Sequence, residues 1–192
     1  MSTDAAEEDA VEELVQLVDD HGRLLGSAPK ATVHGPNTPL HLAFSCHVVS
    51  PQGLVLVTRR SLAKKTWPGV WTNAFCGHPA PGEPTEAAVR RRAVQELGLQ
   101  LGSSPGKLDA VLPHFRYRAV DASGTVENEL CPVFRAVIDV DPSPDPQEVA
   151  EWVWTEPAEL RRAVAAAPYA FSPWLALQLQ ELDAPALSPG AG

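Results

Sequence analysis

Two pairs of residues, each spaced i and i+2, hold most of the chemistry available to this chain: Cys76 with His78 in C-G-H, and Glu127 with Glu129 in E-N-E. Alternate residues of a strand point to one face about 6–7 Å apart, so each pair can aim at a single site. Thiols, imidazoles and carboxylates can all move protons or bind metal. Neutral imidazoles combined with carboxylates suit a borderline divalent ion; His34, His41 and His78 can be grouped with Glu127 and Glu129, and five such ligands favour six-coordinate geometry over a closed zinc knot. Spacing alone is weak support, because a histidine on a partly apolar strand is usually satisfied by its neighbours. His21, His47 and His114 therefore carry no weight by themselves.

The element that must position Cys76 and His78 follows directly, in residues 72–99. Pro84 sits where a first helical residue tolerates a missing N–H, and Gly98 sits where a helix takes a left-handed stop. Between them Val89, Ala93 and Leu97 recur every four residues as an apolar stripe. Arg92 and Glu96 form a second ridge at i, i+4. Such a helix can pack on a sheet while offering a cation and a carboxylate to a ligand.

The composition fits one soluble globular domain: 192 residues, 44% hydrophobic and 20% charged. No apolar run approaches the ~20 residues of a membrane span, and the acidic start is unlike a signal peptide. The cytoplasm is the expected location. Six of the 24 acidic residues and none of the 15 basic ones lie in residues 1–13, which reads as a solvated, disordered tail. A single domain is expected over residues 14–183, with a disordered tail over 184–192. Seven basic residues crowd into Arg59, Arg60, Lys64, Lys65 and Arg90, Arg91, Arg92. On an acidic protein such focused patches suit a small anion better than a nucleic-acid backbone. Three cysteines without a secretion signal argue against a disulfide framework, and Cys46 and Cys131 read as small buried residues.

Strands are expected over residues 13–18, 40–50 and 54–59, the last two joined by a hairpin at Pro51-Gln52-Gly53. A loop rich in bases and tryptophan spans 60–71, and the helix covers about 84–97. Long antiparallel strands are expected over 108–120 and 127–140, joined at Ser123-Gly124, with a short strand at 151–155. Helices follow over 157–167 and from Ser172-Pro173 to about 182. This order predicts an α/β fold, Nudix-like by the resemblance below, with a mixed β-sheet sandwiched between helices.

Gly77, Glu83, Arg91, Glu96 and Gly98 fall at the spacings of the Nudix box, which this chain resembles in degenerate form. Arg92 and Gln95 stand where a diphosphate-cleaving Nudix enzyme has two of its metal-binding glutamates. From about residue 14 to 182 the chain is similar to the type I isopentenyl-diphosphate isomerases, Nudix-fold enzymes of isoprenoid synthesis. The similarity is carried by H-L-A-F-S from His41, T-R-R from Thr58, K-K-T-W-P-G-V-W-T-N from Lys64 and C-G-H-P from Cys76. It continues with F-R-Y-R-A from Phe115, E-N-E-L-C-P-V-F from Glu127 and F-S-P-W from Phe171. Phe75 and the Cys46-His47 pair are local departures.

The resemblance implies the roles. His34, His41, His78, Glu127 and Glu129 match the ligands of one divalent metal (Mn²⁺, Mg²⁺ or Zn²⁺). Cys76 and Glu129 match the proton-transfer pair, and Tyr117 a tyrosine assisting the glutamate. Trp174 matches the aromatic against the isoprene unit. Lys30, Arg60, Lys64 and Arg92 match the residues that hold the diphosphate, and Glu96 the ligand of a Mg²⁺ bound with it. The implied partner is a small allylic or homoallylic diphosphate, with no nucleic acid or membrane, and a monomer is expected.

The implied reaction moves a double bond by one carbon. The allylic C–H is too weak an acid for direct removal, but protonating the terminal alkene carbon gives a tertiary cation whose neighbouring C–H is readily lost. That requires proton-transfer groups on two faces, and either Cys76 or Glu129 can act as the donor. Water must be kept from the cation, and Trp67, Trp71 and Trp174 supply apolar walls. The rival readings are a Nudix hydrolase of a nucleotide-like diphosphate and a non-enzymatic module on a Nudix scaffold. The reduced glutamate set argues against the first, and the presence of Cys76, Glu127 and Glu129 against the second.

Overall fold

The computed structural model describes residues 13–102 and 108–189, so most of the acidic segment lies outside the described residues. In chain order the elements are β1 (Leu14–Val18), β2 (Leu24–Pro29), a single turn α1 (Lys30–Val33), β3 (His41–Leu42), β4 (Phe44–Val49) and β5 (Val55–Arg60). Next come β6 (Trp71–Thr72), β7 (Phe75–Gly77), α2 (Thr85–Leu97), β8 (Leu108–Leu112), β9 (Arg116–Val120) and β10 (Val126–Leu130). β11 (Val133–Val137), β12 (Val149–Thr155), α3 (Pro157–Ala166) and α4 (Pro173–Glu181) complete the set.

The two long strands read from the sequence each break at a proline. Pro113 separates β8 from β9, and Pro132 separates β10 from β11. Proline cannot donate to a ladder, so these are the points where the chain leaves one sheet for another. The result is two sheets, ordered β2-β1-β3-β10-β9 and β12-β5-β4-β11-β8, with β6 added to β5 and β7 to β4. Both are mixed, because β10 pairs parallel with β3 and β11 parallel with β4. The chain passes between sheets at Ala43 and again at Cys131-Pro132, side by side, with Ala43 N donating to Leu130 O and Ser45 N to Pro132 O, each at 3.0 Å. This shared corner brings His41, Ser45 and Glu129 to the inside of the angle between the sheets.

The second sheet is sandwiched as expected. Phe44, Cys46 and Val48 belong to one core cluster with Val89, Ala93 and Leu97 of α2. Val49, Val55 and Val57 belong to another with Leu160 and Val164 of α3 and Leu175 and Leu179 of α4. Every residue of β4 is buried, as a strand covered on both faces requires. Full burial of a Val or Leu contributes about 1.5–3 kcal/mol, so the stripe on α2 suffices to seat that helix.

Pro84 takes the cap position in front of α2 rather than its first turn, with ψ 139° and its carbonyl accepting from Ala87 and Ala88. Gly98 closes the helix at φ 64°, a left-handed value that favours glycine. Of the C-terminal tail expected to be disordered, Ala184–Leu187 instead form a 3₁₀ turn. Leu187 is fully buried there against the α3–α4 core, an anchor too small to show as periodicity. Among the described residues no helix is long and apolar enough to cross a membrane.

Candidate active site

A cavity of about 680 Å³ opens between the inner corner of the two sheets, the turn α1 and the loop after β5. Its floor carries Glu127, Glu129 and Tyr117, all buried. Glu129 lies opposite His41 in the parallel β10–β3 pair and opposite Tyr117 in the antiparallel β10–β9 pair, so strand register alone sets these three together. His34 comes from the end of α1 and His78 from the residue after β7.

The three imidazole rings stand 5.1, 5.2 and 5.8 Å apart. One ligand atom from each of His34, His41, His78 and Glu129 lies within 4.8 Å of all the others. Glu127 joins at the margin, its Oε2 3.0 Å from His34 Nε2. His41 Nδ1 faces the Pro39 carbonyl at 2.9 Å, which places that ring's hydrogen on Nδ1 and leaves the Nε2 lone pair facing Glu129 Oε1 at 3.6 Å. His34 Nε2, His41 Nε2, His78 Nδ1 and Glu127 Oε2 are buried without a hydrogen-bond partner. Lone pairs converging on one point in a buried place repel one another unless a cation lies between them, so this donor set fits a divalent metal. Burial pushes the Glu129 carboxyl up, but the neighbouring His41 and His78 imidazoles outweigh it and hold Glu129 well below the usual range.

Cys76 lines the same cavity from β7, where it pairs in register with Ser45 of β4. Its Sγ lies 3.3 Å from Ser45 Oγ and 3.4 Å from Asn73 Oδ1. Burial, with the Glu129 charge adding to it, pushes the thiol up to about 11 against the opposing effect of its hydrogen bonds with Ser45 and Asn73. The Tyr117 phenol is likewise pushed well up by burial and by the Glu129 and Glu127 charges, so it keeps its proton. Tyr117 stacks on Phe115 and lies 5.8 Å from Trp174, which Trp67 meets edge-on at 5.5 Å. Trp67 holds φ 43°, a left-handed value for a bulky residue, where it packs edge-on against Trp174. A partly apolar slot results whose lining includes both the Cys76 thiol and the Glu127 and Glu129 carboxylates.

The four cations expected to hold the diphosphate, Lys30, Arg60, Lys64 and Arg92, all line the cavity, and each is already engaged. Lys30 Nζ pairs with Glu13 Oε2 at 2.6 Å, and Lys64 pairs with Glu148. Arg92 donates to Glu96 and, at 3.2 Å, to Glu148. Arg60 differs from its expected free grip: Nη2 donates to Thr66 O at 2.8 Å and Nε to Trp67 O at 3.1 Å, which fastens the loop carrying Lys64 and Trp67. Its Cζ lies 5.4 Å over the Trp174 ring, a cation–π distance. Gly77 permits the close seating of β7 on α2, since a Cβ there would stand 2.9 Å from Phe44 and 3.0 Å from Arg92 Cγ. Arg91 and Glu83, the box's other ion pair, face away from the slot and bind each other at 2.7 Å.

Sequence reasoning missed Ser45, Asn73, Gln178, Glu13 and Glu148. Asn73 and Ser45 lie inside the quoted motifs and could have been singled out by their polarity within apolar strands. Glu148 follows a proline-rich loop and carries no local signal, because its importance comes only from Lys64 and Arg92 folding onto it.

The chain matches the NUDIX domain family over residues 39–175. It is 62% identical over 167 residues to the protein named isopentenyl-diphosphate Delta-isomerase of Clavibacter michiganensis subsp. michiganensis, covering 87% of this chain and 84% of that one. The protein of that name from Kocuria rhizophila is 56% identical over 185 residues, covering 96% and 99%. Among solved structures, DR0079 from Deinococcus radiodurans superposes with a TM-score of 0.70 at 21% identity, over 88% of this chain and 98% of that one. A MutT NUDIX hydrolase from Burkholderia pseudomallei gives 0.56 at 20% identity, over 75% and 98%. At these identities the two structures speak for the fold alone.

Proposed function

The chain belongs to the isopentenyl-diphosphate Delta-isomerase family of NUDIX-domain proteins and is an enzyme interconverting isopentenyl and dimethylallyl diphosphates; from that premise we propose that Cys76 and Glu129 are its two proton-transfer groups. The observation that carries this reading is their convergence. A thiol hydrogen-bonded on β7 and a carboxylate held by two imidazoles on β10 line one cavity walled by Tyr117 and Trp174.

The steps follow from that arrangement. One group adds a proton to the terminal alkene carbon and the other takes a proton from the carbon next to the cation, so they exchange roles when the reaction reverses. Tyr117, still protonated, donates toward the carboxylate side and keeps the charge there localised. Trp174 and Trp67 turn π faces and edges to the cation and exclude water, whose attack would give an alcohol; an indole face over a desolvated cation is worth about 2 kcal/mol. His34, His41, His78, Glu127 and Glu129 would hold the divalent metal, which supplies positive charge that lowers the proton affinity of Glu129.

The diphosphate is received by Lys30, Lys64 and Arg92, which trade their carboxylate partners for phosphate oxygens, while Arg60 holds the loop that presents Lys64. Glu96 takes both Arg92 hydrogen bonds on Oε1. Burial, and then the nearby Glu148 charge, push its carboxyl up although Arg92 opposes them; as an oxygen ligand it would suit a Mg²⁺ arriving with the substrate. A hydrolase is disfavoured by Arg92, whose guanidinium occupies the space in which a hydrolytic metal would need a carboxylate. Incubation with isopentenyl diphosphate and Mg²⁺ in D₂O tests the reading. Deuterium is expected in dimethylallyl diphosphate, whereas product without solvent deuterium would overturn proton transfer through exchangeable groups.

A further inference from the structure

A buried polar chain runs from the cavity wall into the core, and the proton transfers described above leave its far end without a use. Ser45 Oγ lies 3.3 Å from Cys76 Sγ, and Gln178 Nε2 donates to Ser45 Oγ at 2.9 Å. Gln178 Oε1 in turn lies 3.0 Å from His47 Nε2. Ser45, His47 and Gln178 are each 0% exposed. Ser45 and His47 share one face of β4, and Gln178 reaches them from α4 across a core otherwise packed with aliphatic side chains.

The hydrogens of this chain have only one satisfactory direction. Burial holds His47 down at about 4, so at neutral pH the ring carries a single hydrogen. His47 Nδ1 has no partner, and a hydrogen placed there would be a buried, unpaired donor. The hydrogen therefore sits on Nε2 and is accepted by Gln178 Oε1, which turns the Gln178 amide NH₂ toward Ser45. Ser45 then accepts, and its own hydrogen must point at sulfur: Cys76 Sγ, or Cys131 Sγ at 3.4 Å.

Asn73 sets the other side of Cys76 in the same way. Its Nδ2 donates to Cys46 O at 3.0 Å and Phe75 O at 2.8 Å, so its Oδ1 is committed as an acceptor. That oxygen receives Trp174 Nε1–H at 3.0 Å and the Cys76 S–H at 3.4 Å. Cys76 thus has an acceptor in Asn73 on one flank and on the other the Ser45 hydroxyl, whose hydrogen is shared between the Cys76 and Cys131 sulfurs and is turned toward them from deeper in the protein.

We propose that Gln178 is a positioning residue for the isomerisation: by forcing Ser45 to accept, it makes the Ser45 hydroxyl a donor to the Cys76 sulfur and so fixes how that sulfur is presented to the substrate. The inference rests on the reading that Cys76 exchanges a proton with substrate carbon.

Gln178→Glu separates direction from shape. The side chain keeps its size and, when ionised against a protonated His47, offers acceptor oxygens alone, so Ser45 must turn its hydrogen to the carboxylate and away from sulfur. The expected result is a kcat at least 10-fold lower with KM within twofold, read well below the lowered thermal midpoint that a buried carboxylate brings. Ser45→Ala removes the hydroxyl while leaving the helix side chain in place and should lose kcat to the same extent, so it carries the test alone if the glutamate variant does not fold. In the double variant kcat should fall no further than in Ser45→Ala. Full kcat in Ser45→Ala or in folded Gln178→Glu, or losses that multiply in the double variant, would overturn the proposal. Cys76→Ala in the same assay keeps the two readings apart. If it is inactive while Ser45→Ala is fully active, only the positioning role fails; if it turns over, the Cys76 reading fails and the positioning role with it.

Discussion

Arg92 donates from both Nε and Nη2 to Glu96 Oε1, at 2.9 and 2.6 Å, one turn apart on α2 and almost wholly buried. This pair converts a helix that in hydrolases of the fold carries acidic residues into one that presents a cation beside a carboxylate. Glu148 completes the arrangement by bridging Arg92 to Lys64 on a different loop.

Arg92→Ala is expected to do two separable things. It leaves Glu96 buried without its partner, at a cost of about 3–5 kcal/mol of stability, and it removes a diphosphate donor, raising KM. The double variant Arg92→Ala/Glu96→Ala should recover more than half of the stability in urea unfolding while KM stays high. Recovery of KM together with stability would show that Arg92 matters only to the fold.

Cys76→Ala and Glu129→Gln should each lower kcat by at least about 100-fold, the scale of a lost general acid or base. Diphosphate affinity, measured by calorimetry with Mg²⁺, should change little because Lys30, Lys64 and Arg92 are untouched. Turnover near that of the unaltered enzyme in either variant would remove the residue from the proton-transfer pair.

Exhaustive chelation should lower the thermal midpoint as well as activity, since the crowded, buried nitrogens and carboxylate oxygens of His34, His41, His78 and Glu129 are then left without a cation between them. With metal at 100 times its dissociation constant the stabilisation amounts to about 2.7 kcal/mol. His34→Ala should make the midpoint insensitive to the chelator. A midpoint that still responds in that variant would place the bound metal elsewhere.

His47 imposes a pH dependence on stability. Its folded value of about 4 lies below the ordinary 6.5, so its contribution is complete above pH 6.5 and is lost as pH falls toward and through 4. The loss by pH 4 is about 3 kcal/mol. Urea unfolding of the unaltered protein and of His47→Gln, at pH 7 and at pH 4, should show the stability difference between the two shrinking or reversing toward acid. Parallel curves would mean that His47 titrates normally in the fold.

Much of the site was legible because its signals are short-range. The stripe of Val89, Ala93 and Leu97 is a matter of helical period, and Gly98 stops α2 because a left-handed residue tolerates little but glycine. Glu127 and Glu129 share a face by strand alternation, and motif similarity supplied the grouping with the histidines. The division of the strands between two sheets was hidden, because a proline marks a break without saying which partner the next segment will choose. Leu187 was hidden as well, a single apolar residue in a tail of small ones.

The order of residues by itself determined which groups are available for the chemistry proposed: a thiol, a carboxylate pair, three imidazoles and a set of cations, each within a few residues of its supporting turn, strand or helix. Tertiary structure alone decided which atom of each group faces which neighbour. His41 turns Nε2 inward because Pro39 takes Nδ1, Arg60 is committed to loop carbonyls, and the Ser45 hydrogen is set by Gln178, 133 residues away. The physical reason is that a buried polar atom must be satisfied by whatever the fold brings within about 3 Å, and in this chain those partners come from distant segments.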